Sequence, residues 1–470
     1  MEELGPDRFD FAARRRLLRE IFAETLRAVD VRTAFQSAVQ CSDGTLRICD
    51  LTYPLASFRR VIVIAVGKAA VPSAEVVLEQ ISSCSPVGTQ TQAIVVGPGE
   101  MRSNVASVER WLGSHPIPDQ TSRDAARSII ELLQTTAAQD LVLFLISGGA
   151  SAMMELPIDD AITVEKMAEF YSALVHSGLT IAEMNTLRKH ASAVKGGRLA
   201  ELAPQAAKCT LLVSDVPYAM PDVIGSGPTL PDSSTREQCR QLMQRPELNA
   251  IPPRVRAMLQ SAELPETPKA DLDCFRNAEV RVVLSTATML SLAAEACEQR
   301  GLHAVVDNTC DDWDYREAAE YLLDRARSLS REYSRLCLLS GGEVTVRLSG
   351  EAGVGGRNQQ FALYCASLLN GRDSRISLPD AISVLSAGTD GIDGNSPAAG
   401  AVVDSTTTKR ARDAGFDVRE ALRRFDAYAL LERIGDTILT GPTGNNVRDL
   451  RIVMAVRNEA AQGFDGAGAR

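Results

Sequence analysis

VIVIAVGKAA, residues 61–70, joins a short apolar run to a glycine and a lysine. The run is β-branched and lacks strict alternation, as expected of a strand buried on both faces of a parallel sheet. Residues 93–96, 141–146 and 210–213 have the same character. Helical patterns at 122–135 and 164–176 lie between these runs, and the alternation predicts an α/β fold with an N-terminal doubly wound, Rossmann-like sheet. Such sheets bind ligands beyond the carboxyl ends of their strands. Here those ends carry Gly67 and Lys68, then Ser147, Gly148, Gly149, Ala150 and Ser151, then Ser214 and Asp215.

Pro246, Pro252, Pro253, Pro265 and Pro268 fall among polar residues and mark a linker at 246–275. The N-terminal domain is expected over 1–245 and a second α/β domain over 276–470. In the second, strands are predicted at 280–284, 304–307, 336–339, 344–348, 382–387 and 452–456, with a helix at 315–330. SGGEVTVRLSGEAGVGGRNQQFAL (340–363) runs from a β-like segment through a glycine-rich turn into a helix at 358–369. Free N–H groups at that helix start, with Gly355, Gly356 and Asn358, suit an anion such as phosphate, and Arg357 adds a planar donor fork. A tight turn alone is the alternative.

The 382–387 strand leads into Thr389, Asp390, Gly391, Ile392 and Asp393. Asp390 and Asp393 suit a hard cation that keeps some of its waters, although turns favour Asp and Gly for structural reasons too. TGPTGNN (440–446), with Gly444 and Asn446, offers further donors to an anion. Lys68 reads either as a phosphate-neutralising ammonium or as a solvated turn lysine. The SGGAS loop lacks the GxSxG form of a nucleophile elbow and suits close backbone approach to a ligand. Asp215 reads either as a group that orients or deprotonates a hydroxyl or as a helix cap.

The formal net charge of −10 and the lack of a basic stripe argue against a nucleic-acid surface. No apolar run nears the roughly 18 residues of a membrane span, and the acidic start does not read as a signal peptide. Residues 11–28 read as an amphipathic helix with Arg14, Arg15 and Arg16 solvated. Ten scattered cysteines without a CxxC pair read as reduced thiols of a cytoplasmic protein, and four histidines make a zinc cage an unsuitable reading. GxxxxGK[ST] is absent, and Asn358 occupies the place of the third glycine of a GxGxxG.

AVGKAA (65–70), SHPIPDQTS (114–122), ISGGASAMMELP (146–157), MNTLRKHASAVKGGRLA (184–200), SDVP (214–217), IGSGPTLPD (224–232), SGGEVTV (340–346), GGRNQQFAL (355–363), AGTDGIDGNSPAAGA (387–401) and TGPTGNNV (440–447) together resemble the glycerate 2-kinase family, whose C-terminal part is the MOFRL domain. The resemblance covers about residues 60–457 in order. It implies two α/β domains, the second of MOFRL type, with the active site in an interdomain cleft. It also implies transfer of the γ-phosphoryl of ATP to the C2 hydroxyl of D-glycerate, with Mg²⁺ as the metal.

On matching positions the resemblance implies that Lys68 and Arg357 contact phosphoryl or carboxylate oxygens and that Asp215 lies beside the reacting hydroxyl. Glu343, Asp390 and Asn446 line the nucleotide and metal side in this reading, and His115 takes a cleft position. Among Arg188, Lys189 and Lys195, Lys195 is the candidate for the substrate and the other two read as solvated helix charges. Two departures stand out: Tyr218, Ala219 and Met220 replace the family's Gly-Asp, and Ala150 replaces a glycine. An NAD(P)H-linked hydroxypyruvate reductase and a catalytically weakened ligand-binding relative remain as alternatives. Expected partners are glycerate and ATP, with no nucleic acid or membrane and a homodimer as the candidate assembly.

Overall fold

A computed structural model describes residues 10–84, 86, 89–102, 107–214, 221–348, 351–370 and 381–457. Contacts divide the chain into two units: Val31–Ser285, and the residues up to Asp30 joined with those from Thr286 onward.

The Val31–Ser285 unit begins with an antiparallel sheet of β1 (Val39–Ser42), β2 (Thr45–Ile48) and β3 (Leu51–Pro54). Its main sheet contains β4 (Arg60–Val66), β5 (Gln90–Val96), β6 (Val108–Trp111), β7 (Asp140–Ser147), β8 (Ala207–Val213) and β9 (Ala278–Leu284). The order is β6-β5-β4-β7-β8-β9, parallel throughout. Every residue of β4 and β7 is buried, which explains the continuous apolar runs 61–66 and 141–146 within them. The strand order reverses between β4 and β7, and this switch opens a crevice at their carboxyl ends.

The 280–284 strand therefore belongs to the first sheet, as β9, and the expected boundaries shift with it. The stretch read as a linker is packed structure: Leu248, Ile251, Val255, Leu259 and Leu264 share an apolar core with Phe170, Leu174 and Leu187. Prolines there start helical turns, as at Pro246 and Pro253, instead of loosening the chain.

The second unit carries β10 (His303–Val306), β11 (Arg335–Gly342), β12 (Ala381–Gly388), β13 (Gly400–Asp404), β14 (Thr437–Ile438) and β15 (Asp449–Val456) in the order β10-β11-β15-β12-β13-β14. Only β10 and β11 pair parallel; the other pairings are antiparallel. Because β15 runs against both neighbours, Asp449 at its start lies abreast of Gly342 and Gly388, the last residues of β11 and β12.

The helix Phe11–Ala28 also belongs to this unit. Arg16 is exposed as expected, but the other two are not simply solvated: Arg14 is 3% exposed and donates to the Ala381 carbonyl at 2.8 Å, while Arg15 pairs with Asp404. The expected 344–348 strand is absent. The chain leaves β11 at Gly342 with a φ of +99°, and the Glu343 amide turns to Asp311 Oδ1 at 3.0 Å, so tertiary contacts override the β-branched residues beyond. Cys41 and Cys84 face each other with Cα atoms 6.0 Å apart, within reach of a disulfide, while the other eight cysteines are free. Among the described residues no helix is long and apolar enough to cross a membrane.

Candidate active site

At the β4/β7 switch, Gly67 has a φ of +122°, and a Cβ there would lie 2.6 Å from the Ser147 carbonyl oxygen. Only glycine lets the two strand ends approach this closely. The Lys68 amide donates to the Gly148 carbonyl at 2.9 Å, and the Ala69 amide donates to Ser147 Oγ at 3.0 Å. Gly149, with a φ of +86°, is flanked by His115 and Lys68: a Cβ there would sit 3.1 Å from His115 Cδ2 and 3.4 Å from Lys68 Cγ. The structure thus gathers Lys68, His115, Ser147, Gly148, Gly149 and Ser151 around one crevice. Ala150 opens a short helix and is not among the positive-φ residues, so the methyl group carries no backbone strain.

Lys68 is exposed and has no ion-pair partner among the described residues. Partial burial, with the Lys68 charge adding to it, pushes the His115 imidazole below its usual value. This favours a neutral imidazole at neutral pH.

Lys195 does not reach this crevice as expected. It is wholly buried; its ammonium pairs with Glu155 and also donates to the Met154 carbonyl at 3.2 Å. Lys189 is not solvated either, because Asp222 at 2.8 Å and Asp232 at 3.1 Å hold it. Asp222, the nearest acid after the departed Gly-Asp position, is committed to that pair. Asp215, Tyr218, Ala219 and Met220 lie outside the described residues.

In the second unit, Arg357 opens the helix Arg357–Leu369. Its Nε and Nη2 donate to Asp449 at 2.6 and 3.0 Å, and its Nη1 donates to Glu343 at 2.8 Å. Burial pulls the guanidinium pKa down, but these two carboxylates hold it above its usual value. Burial in turn pushes Glu343 up against the pull of Arg357. Behind them Arg448 donates to Asp311 at 2.6 and 2.9 Å, and Asp311 also receives the Glu343 amide.

Asp393 corrects the expected metal pair. Its Oδ1 accepts from the Asn358 amide at 3.0 Å, and its Oδ2 accepts from the Gln359 amide at 2.9 Å and from Gln359 Nε2 at 3.0 Å. Both oxygens cap the helix that was expected to receive phosphate, so the chain supplies its own anion there. Burial pushes this carboxyl up to about 6 against those hydrogen bonds. Among the described residues no cluster of three or more metal-ligating side chains forms.

Asn358, Gly356 and Thr389 likewise act inside the protein. Asn358 Oδ1 accepts from Ser386 Oγ at 2.6 Å, and a Cβ on Gly356 would run into Asp393. Thr389 Oγ1 donates to the Arg448 carbonyl at 2.7 Å and accepts from the Val447 amide at 2.9 Å. Asp390 and Gly444 are exposed, with Gly355, Glu343 and Asn446 half-buried. The 389–391 and 440–446 loops are laced together through the Thr443 amide, which donates to the Asp390 carbonyl at 3.1 Å. Sequence reasoning missed Asp449, Asp311 and Arg448; an acid opening a largely apolar final strand, RDLRIVMAV (448–456), was the available signal for the first.

Residues 17–260 match the model of a domain of unknown function, DUF4147, and residues 336–449 match the MOFRL family. A D-glycerate 2-kinase of Thermotoga maritima is 35% identical over 409 residues, spanning 86% of this chain and 93% of the relative. A protein of Agrobacterium vitis provisionally named a hydroxypyruvate reductase is 35% identical over 429 residues, or 90% of this chain and 93% of its own. The crystal structure of a glycerate kinase from Thermotoga maritima superposes with a TM-score of 0.80 at 32% identity, covering 95% of this chain and 100% of that one.

Proposed function

The chain belongs to the glycerate 2-kinase family, and on that premise we propose that it transfers the γ-phosphoryl of ATP to the C2 hydroxyl of D-glycerate, giving 2-phosphoglycerate and ADP. The hydroxyl oxygen forms a bond to the γ-phosphorus, the bond to the β,γ-bridging oxygen breaks, and the hydroxyl proton passes to a base. Asp215 is proposed as that base from the family resemblance.

The observation that carries the reading is the β4/β7 crevice, where Lys68, without an ion-pair partner among the described residues, stands beside His115 and the small-residue 147–151 loop. Phosphoryl transfer needs alignment and charge neutralisation more than covalent help, and an exposed ammonium supplies the second directly. Glu343, Arg357, Asp390, Gly355, Gly444 and Asn446 are proposed for the nucleotide side.

Mg²⁺ keeps several waters and takes one or two carboxylates together with phosphate oxygens. Asp390 fits that role: it is exposed and uses one oxygen on the Ile392 amide at 3.1 Å. Asp393 does not fit, because both its oxygens are spent on the helix. Bound there, Mg²⁺ would neutralise phosphate charge.

Nicotinamide chemistry has less support, since the turn after β4 is Gly67-Lys68-Ala69-Ala70 and holds a lysine where dinucleotide folds place a glycine fingerprint. A coupled ADP assay with D-glycerate, with the product identified by NMR, tests the proposal. Glycerate-dependent ADP release with 2-phosphoglycerate is expected. Formation of 3-phosphoglycerate refutes the regiochemistry, and NADPH oxidation with hydroxypyruvate in place of ADP release refutes the reaction class. A thermal shift with glycerate and ATP but no turnover points to the weakened ligand-binding relative.

A further inference from the structure

The helix Ile181–Ala191 carries Arg188 next to Lys189, and the structure treats the two differently. Lys189 is held by two aspartates. Arg188 has no carboxylate partner among the described residues, and its Nε is closed off from water without a hydrogen bond. Its guanidinium carbon lies 4.8 Å from the centre of the Tyr171 ring, which supports it as a cation–π stack. The Tyr171 hydroxyl is 3.0 Å from the Ser151 carbonyl oxygen and also bonds Glu155, so the stack is tied to the SGGAS loop.

One turn earlier on the same helix, Asn185 is 4% exposed. Its Oδ1 accepts from Ser226 Oγ at 2.9 Å, and Ser226 Oγ is 3.1 Å from Ser151 Oγ. Its Nδ2 is buried without a partner. Residues three apart share a helix face, so Asn185 and Arg188 present an amide and a guanidinium beside the same loop. Buried donors without acceptors cost stability, and a ligand that accepts from them recovers it. A carboxylate suits this set, because its two oxygens match the planar guanidinium fork.

We propose that Arg188, with Asn185 beside it, receives the carboxylate of the hydroxy-acid substrate; this rests on the kinase reading above. The shared chemistry is an oxyanion, and the other source of one is the phosphoryl group itself. Steady-state kinetics of Arg188→Gln with D-glycerate, glyceramide and ATP separates the two. The KM for D-glycerate is expected to rise roughly 10²-fold, with the KM for ATP and the Tm unchanged, and the preference for glycerate over glyceramide should fall by a similar factor.

An unchanged glycerate KM overturns the proposal. A rise in the ATP KM instead assigns Arg188 to phosphate, and equal losses on glycerate and glyceramide assign it a purely structural role; either result overturns the proposal. Arg188→Lys keeps the charge without the fork and is expected to raise the glycerate KM about tenfold, which keeps the test decisive if the glutamine variant does not fold. If the wild type does not phosphorylate glycerate, the kinase reading fails on its own. Calorimetric binding of D-glycerate to the wild type but not to the variant would still support the carboxylate site, and equal binding or none would overturn it.

Discussion

Lys68, just past the end of β4, and Arg357, at the start of a helix, are both cations proposed to meet phosphoryl oxygens, but their surroundings are opposite. Lys68 stands exposed at the β4/β7 switch without an ion-pair partner among the described residues. Arg357 already satisfies three of its donors on Asp449 and Glu343. A free ammonium adds its whole charge to an incoming anion, whereas a paired guanidinium adds little net charge and instead fixes the carboxylates around it. The first is suited to function with little structural role, and the second couples function to stability.

That contrast predicts the largest effect at Lys68. Lys68→Met should lower kcat by about 10³-fold, the scale for losing a preorganised charge-stabilising group, while its Tm stays at the wild-type value in a thermal melt. A Tm drop for this variant would break the comparison. Arg357→Gln should lower kcat by about 10²-fold and also lower the Tm, because Asp449, 2% exposed at its side chain, loses the charge that compensates it. An unchanged melt for Arg357→Gln would erase the difference between the two sites.

A smaller effect is expected at Asp393, the anion that the second unit supplies for itself. Asp393→Ala should cost about 1–2 kcal/mol in chemical denaturation through loss of the helix cap. A neutral result would mean that the helix start does not depend on this carboxylate. The smallest effect is in pH dependence. Because burial raises the folded Asp393 carboxyl to about 6, above its unfolded value near 4, the folded state holds its proton more tightly. The stability of the wild type relative to Asp393→Asn should therefore rise as pH falls from about 6 to about 4, and a flat difference across that window would contradict the raised carboxyl.

Much of the first sheet was legible in the chain because the signal is local. Buried parallel strands need continuous β-branched or leucine-rich runs, and β4, β7 and β8 carry them. The glycines and small residues after β4 and β7 were legible for the same reason, since close strand ends require them where they stand. β9 was recognised as a strand but placed in the wrong sheet, since pairing with β8 leaves no mark within its own residues.

By itself the sequence determined the α/β class, the strands of the switch point, the Lys68 and SGGAS loops and the helix that follows Gly356. Only the tertiary structure decided which charges are available. Glu155 lies 40 residues from the Lys195 it neutralises, Asp393 lies 35 from the Asn358 it caps, and Asp449 lies 92 from the Arg357 it holds. Strand and turn preferences act between neighbours along the chain, whereas a charge is neutralised by whatever the fold brings within a few ångströms. Lys195 and Asp393 therefore read as ligand groups in the sequence and are internal partners in the fold, while Arg188, read as a solvated charge, has no carboxylate partner among the described residues.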